Sequence, residues 1–471
     1  MKPLLYIYYA CASLAAIAPQ RADAARDATF STTERPAATA EETTATIEKT
    51  IATAEKTIAT AENSAATAEN PVAACVNATF DQRLGGQHYA IDAAEVGTVA
   101  LDVDALAFFK DNEFDGDVVR GYSLPGFRLT PRVSYVPLPQ VRLEAGCYAM
   151  VYDGAGKYPC YVYHDVATWK GNQHQHGAHA LPFFRATMSL GSQRRSHTTV
   201  VLGDIYGGAT HGLLQPIYNP ELNVTDDPEM GTQVIVDRRH WHSDVWINWQ
   251  SYIFEEDTHQ EAFTVGWTQR ISLPRGVSVP VQIIVQHRGG EQDLPELNLG
   301  VQTIANGAAG INYEWRRTPP SVDGSPQRSR GLSGVSCEAL ALAALQQSGH
   351  LWPFDSGAAM WASAALDWAF GLRVKAGVFC APRNFCSLYG SPFFGTVSVK
   401  RPGLVYDGTT AGYWCVDYAR TFSLGRTHEG RHSGSYTIGA RADGYVSHGR
   451  EPFSFGVYLR ACPSFVLKRW R

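Results

Sequence analysis

From about Val96 to the C-terminus the chain alternates apolar and polar residues with a period of two. That pattern constrains the fold tightly, because neighbouring side chains on an extended strand point to opposite faces. Phe263, Val265, Trp267, Ile271 and Leu273 fall on one face, with Thr264, Gly266, Thr268, Arg270 and Ser272 on the other. Val279, Val281, Ile283 and Val285 alternate with Gln282 and Gln286, and Ile311, Tyr313 and Trp315 with Asn312, Glu314 and Arg316. Trp368, Phe370, Leu372, Val374 and Val378 oppose Gly371, Arg373, Lys375 and Gly377. Near the end, Phe453, Phe455, Val457 and Leu459 oppose Ser454, Gly456 and Arg460.

A soluble sandwich alternates too. Two details favour a membrane barrel. Several runs reach about ten residues, the length of a tilted strand crossing a bilayer rather than the five or six of an ordinary strand. Aromatics gather near run ends (Trp246 and Trp249, Tyr313 and Trp315, Tyr413 and Trp414, Tyr458), in the manner of interfacial girdles. Hydrocarbon offers no partner to backbone N–H and C=O groups, so strands in it must close into a ring. The expected fold is therefore all-β, a transmembrane antiparallel β-barrel. At roughly 22 residues per strand and connection it should hold about 14–18 strands. Asp153-Gly154, Asn306-Gly307 and Asp407-Gly408 are candidate turns.

Lys2, the apolar stretch Leu4–Ala18 and the Ala22-Asp23-Ala24 site read as a signal peptide over residues 1–24. Residues 25–72 form a low-complexity spacer of seven-residue units, ATAEETT, ATIEKTI, ATAEKTI, ATAENSA and ATAENPV, disordered or weakly helical. A connecting segment, 73–95, leads to the barrel at 96–471. Secretion permits disulfides among the cysteines, with Cys380 and Cys386, or Cys147 and Cys160, the nearest pairs. Charged residues make up 18 %, below the roughly 25 % of soluble domains, which fits a surface partly in lipid. A net charge of -5 gives no reason to expect nucleic acid.

Gly121–Gly126, His211–Asn219, Asp244–Trp249, Gln260–Thr264 and Gln286–Gly290 resemble a Bacteroidetes family of outer-membrane β-barrels to which no activity is assigned. The resemblance spans residues 95–465 and implies a Gram-negative outer-membrane location. In general build the chain is also similar to alginate-export and capsule-assembly barrels, and neither likeness carries a functional residue over. Barrels usually finish on an aromatic read by the assembly machinery; here the chain ends Lys468-Arg469-Trp470-Arg471, leaving Phe465 or Trp470 for that role.

Motifs with chemical content are sparse. His174, His176 and His179 have a spacing at which imidazoles can meet one metal, although the segment reads more simply as a solvated loop. Asp226, Asp227 and Glu229, and the tip Glu255-Glu256-Asp257, offer oxygens to calcium without EF-hand spacing. In His240-Trp241-His242-Ser243-Asp244, adjacent residues point to opposite faces and cannot form a triad among themselves. Membrane-barrel lipases and lipid A deacylases place His and Ser two apart on one face, and no His-x-Ser occurs here. The polar face should line the lumen with Arg270, Arg288, Arg316, Arg373, Lys375, Asp417, Arg441 and Asp443, whose signs nearly balance.

These features lead to an expected porin-like channel or exporter for small solutes or polysaccharide. The alternative is a non-conducting surface scaffold binding partners through loops 164–181 and 319–333. No enzymatic activity and no cofactor are expected. The partners expected are outer-membrane lipid and the barrel-assembly machinery.

Overall fold

The computed structural model describes residues 78–152, 178–192, 196–253, 260–289, 300–317, 331–401, 403–424 and 432–470. The signal peptide, the heptad spacer, Asp153-Gly154, Cys160, His174, His176, Glu255–Asp257 and residues 319–330 lie outside them.

Among the described residues sixteen strands follow one another. They are β1 (Thr98–Glu113), β2 (Tyr122–Leu138), β3 (Val141–Tyr152), β4 (Ala178–Ser192), β5 (Ser196–Asp204), β6 (Met230–Arg238), β7 (Trp241–Ser251) and β8 (Ala262–Ser272). The second half comprises β9 (Val277–Arg288), β10 (Gln302–Arg316), β11 (Leu332–Ser348), β12 (Ser356–Trp368), β13 (Leu372–Ala381), β14 (Thr409–Leu424), β15 (His432–Ser447) and β16 (Phe453–Arg469). Each pairs antiparallel with its chain neighbours, and β1 pairs with β16 from Thr98 opposite Arg469 to Glu113 opposite Phe453. The sheet thus has no free edge, which is what burial in hydrocarbon requires.

The period-two sequence sets the two faces of this wall. On β16, Val457 and Leu459 are 55 % and 51 % exposed, while Ser454 and Tyr458 on the other parity are 0 % and 6 %. Phe127 and Val133 on β2, Phe184 and Met188 on β4, and Ile311 and Trp315 on β10 are likewise exposed apolar residues. Together they form an outer belt. Leu459 lies within it, opposite Ala107 and Ile438. Leu459→Arg should cost about 2–4 kcal/mol, as expected for a lipid-facing charge near the midplane. Denaturant titration in lipid vesicles against the parent protein measures this.

Three sequence expectations need correction. Trp246, Tyr413 and Tyr458 are not girdle residues; all three point inward and are buried. For Trp246 the cause is local: it lies opposite Gly266, whose missing side chain leaves room for the indole, since a Cβ there would lie 2.0 Å from the ring. Asn306-Gly307 is no turn but the interior of β10, where Asn306 points inward and donates to the Cys386 carbonyl. The run from Trp368 to Val378 is two strands, because Gly371 adopts φ +104° between β12 and β13 and supplies the turn. Cys380 and Cys386 are free thiols.

Connections at the end shared by the termini are mostly short, such as 139–140, 239–240 and 369–371. The opposite end carries the long ones, including 205–229 and 382–408.

Candidate functional site

The connection 205–229 does not stay at the rim. Gly208 and Gly212 take positive φ of 57° and 64°, a region open to glycine, and turn the chain into the barrel. Once inside it bonds to several walls. Gln282 on β9 donates to the Gly212 carbonyl and accepts from the Leu214 N–H. Gln215 donates to the Tyr445 hydroxyl on β15, and Tyr152 on β3 donates to the Thr225 carbonyl of α1 (Leu222–Thr225). Ile217, Tyr218 and Leu222 join an apolar cluster with Ile284, Leu342, Trp361 and Phe379. The connection 382–408 adds Phe385, Phe393 and Phe394 to the same cluster.

The segment before β1 enters from the terminal end. Its helical turn Phe80–Leu84 is closed by a capping box between Thr79 and Gln82. Arg441 holds Asp81 through two bonds of 2.9 and 3.1 Å, and Arg460 donates to the carbonyls of Arg83 and Gly86. Much of the bore is therefore packed with folded chain.

The most concentrated polar group lies along 205–229. His211 Nδ1 is 2.7 Å from Asp244 on β7, and Nε2 is 3.3 Å from Glu229. Trp246 stacks on the imidazole at 3.5 Å, nearly parallel. Gln233 donates to Asp244, and the Gly208 N–H donates to Glu229. Burial alone would lower the His211 pKa, but the charges of Glu229 and Asp244 and their hydrogen bonds outweigh it and raise it to about 9. At neutral pH His211 is an imidazolium with both nitrogens committed. It pins the loop and is not a free base.

Nearby, Glu221 accepts from Lys110 Nζ at 2.5 Å, Asn112 at 3.1 Å and the Tyr122 hydroxyl at 2.5 Å. A cavity of about 60 Å³ lies against the same connection, lined by Arg128, Arg132, Arg185, Tyr148, Asp227 and Glu229 among others.

The residues marked in the sequence are distributed as follows. His179 on β4 is 2.7 Å from Asp227, which ties the wall to the loop. Among the described residues no group of three or more His, Cys, Asp or Glu is arranged to hold a metal. Arg373 pairs with Asp367 at 2.9 Å, Arg316 with Asp367 at 3.2 Å, and Lys375 with Glu338 at 3.0 Å. Arg441 bridges Asp81 and Asp417. Asp443 accepts from Ser454 at 2.9 Å. Arg270 and Arg288 share the parity of the buried residues of β8 and β9, near opposite ends of the wall. Sequence reading did not find the His211 assembly, because its carboxylates lie 18 and 33 residues away.

Residues 91–470 match a family model described as lipid A 3'-O-deacylase-type. This overturns the expectation that the chain has no enzymatic activity, since the family bears an enzyme's name. The test behind that expectation, His and Ser two apart on one strand, could not detect groups brought together across the barrel. Among curated proteins none matches the chain. Solved structures of similar build include OccK5 (OpdH) of Pseudomonas aeruginosa, with 9 % identity, TM-score 0.43, and 79 % of this chain and 99 % of that one covered. The outer membrane protein OprD of the same organism gives 8 %, 0.42, 80 % and 98 %. OccAB2 of Acinetobacter baumannii gives 9 %, 0.42, 81 % and 100 %. At such identity and overlap these likenesses say nothing of what the chain does.

Proposed function

The chain belongs to the lipid A 3'-O-deacylase-type family, and from that membership we propose that it is an outer-membrane hydrolase removing an ester-linked acyl chain from the 3' position of lipid A. The observation that carries this is the extent of the match, which takes in all sixteen strands and the inward connections together. Two structural features support it. The closed wall with its apolar belt suits a protein whose substrate is itself a membrane lipid. The bore is packed by 205–229, 382–408 and 79–91, an arrangement better suited to a rigid scaffold than to a wide passage. Outer-membrane lipid is then both solvent and substrate, and Phe465 on β16, or Trp470 just beyond it, is the aromatic the assembly machinery would read.

Purified protein folded in detergent and incubated with lipid A should release one free fatty acid per lipid. Mass spectrometry would show the lipid lighter by that chain. Lipid A of unchanged mass after prolonged incubation would end this reading.

Strand number favours a second reading. Sixteen strands give the circumference at which outer-membrane barrels leave an aqueous channel, and this supports a porin-like path for small solutes past the inward connections.

A further inference from the structure

Many arginines on the inner face are committed to a carboxylate. Arg132 meets Glu144 at 2.7 Å, Arg373 meets Asp367 at 2.9 Å, and Arg460 meets Asp104 at 2.7 Å. Three arginines at the end shared by the termini differ. Arg238 ends β6, Arg239 lies in the turn that follows, and Arg275 lies in the turn between β8 and β9. All three are exposed, and their guanidinium groups have no ion pair or hydrogen bond among the described residues. The two turns are neighbours, joined by the Ser272 N–H donating to the His240 carbonyl at 2.8 Å. Two strand spacings, about 10 Å, separate them, so long side chains from both can meet one small group. Asp237 does not neutralise this charge. It has the inward parity of β6 and is held by Tyr89 and His242 at 2.9 and 2.7 Å.

Apolar surface lies directly beside the arginines. Arg238 has the outward parity of Val234 and Val236 and pairs with Trp241 across the hairpin, and Trp241 in turn pairs with Ile271. Trp241, Ile271 and Leu273 are all exposed. Arg275 adds a backbone observation. It takes φ 64° and ψ 29°, and Gly276 after it takes φ 78°. Two successive left-handed residues are most easily Asn-Gly. An arginine at the first position carries strain that asparagine avoids, and strain kept at an exposed position points to a task for its side chain.

We propose that Arg238, Arg239 and Arg275 bind the phosphate of an anionic glycerophospholipid whose acyl chain lies along Trp241, Ile271 and Leu273. Short turns mark the periplasmic side of an outer-membrane barrel. The lipid therefore belongs to the leaflet opposite the one that carries lipid A, and the site stands independently of the deacylase reading. Guanidinium suits the task, because its planar fork gives paired hydrogen bonds to phosphate oxygens. Charge complementarity selects an anionic headgroup over a zwitterionic one, whose ammonium would face the same three cations.

Full-length protein in detergent, titrated with dye-labelled phosphatidylglycerol and with phosphatidylcholine carrying the same dye, tests this by fluorescence anisotropy. Phosphatidylglycerol should bind roughly tenfold or more tightly than phosphatidylcholine. Each arginine near a charged lipid contributes about fivefold, so Arg238→Gln, Arg239→Gln and Arg275→Gln together should weaken phosphatidylglycerol binding roughly 100-fold. Arg270→Gln, at the inward parity of β8 on the same rim, should bind as the parent does. Arg275→Asn removes a charge but suits the left-handed turn. Its lipid binding should fall about fivefold while its resistance to denaturant stays equal or rises, which separates loss of the site from loss of the fold. Phosphatidylglycerol held equally by the parent and the triple variant, or lost as strongly in Arg270→Gln, would overturn the proposal. So would a parent protein that binds the two lipids alike, which would leave the patch to a soluble anionic partner. Inorganic phosphate alone should give no saturable heat in calorimetry; a saturable heat absent from the triple variant would overturn the lipid in favour of a free anion.

Discussion

His211→Ala should destabilise the folded barrel by about 3–5 kcal/mol, the effect expected when one member of a buried charged assembly is removed. His211 and Asp244 have side chains only 1 % exposed, and Glu229 is 10 % exposed. Without the imidazolium two carboxylates face each other across a space that Trp246 and the wall screen from water. A pH dependence accompanies this. The folded-state pKa of about 9 lies above the ordinary value of 6.5, so protonation favours the folded state. That contribution is complete below about pH 6.5 and is lost as pH rises through about 9. Denaturant midpoints of the parent protein should fall across that window, and those of His211→Ala should lack this component. Equal midpoints for the two proteins at pH 6 would show that the loop is held by its apolar contacts and its other hydrogen bonds without the His211 assembly.

What the sequence showed of this fold follows from where period-two patterning reaches. It reports the wall, because each wall residue faces either lipid or lumen. The outward series Phe453, Phe455, Val457 and Leu459 could therefore be read without a structure. It reports nothing of chain that leaves the wall. Residues 205–229 and 382–408 pack in three dimensions with no period, and the filled bore was not foreseeable from them. Trp246 shows the same limit at one residue. An aromatic near a strand end suggests a girdle, but only the facing Gly266 shows that the indole turns inward.

Polar assemblies that join separate elements were still harder to see. His211 meets Asp244 and Glu229, 33 and 18 residues away in the chain, because the connection 205–229 folds back against β7. The resemblance read from Gly121–Gly126 and Gln286–Gly290 pointed to an outer-membrane barrel without an activity, and only the family match supplied one.

The second large effect concerns passage. A sixteen-stranded wall with an empty lumen would conduct freely. Here Phe385, Phe393, Phe394, Trp361 and Tyr413 form a buried apolar cluster across part of the bore, and Ile217 and Leu222 extend it. Arg441 and Arg460 fasten Asp81 and the chain after it from the other end. Opening a path would mean exposing that apolar surface and breaking the Arg441–Asp81 ion pair and the Arg460 hydrogen bonds together, so spontaneous opening should be rare.

Single-channel recording of the purified protein in a planar bilayer tests this account most directly. Insertion, followed independently by flotation with vesicles, should proceed without stepwise current. Stable, uniform conductance steps from inserted parent protein would contradict it and turn the reading toward a pore.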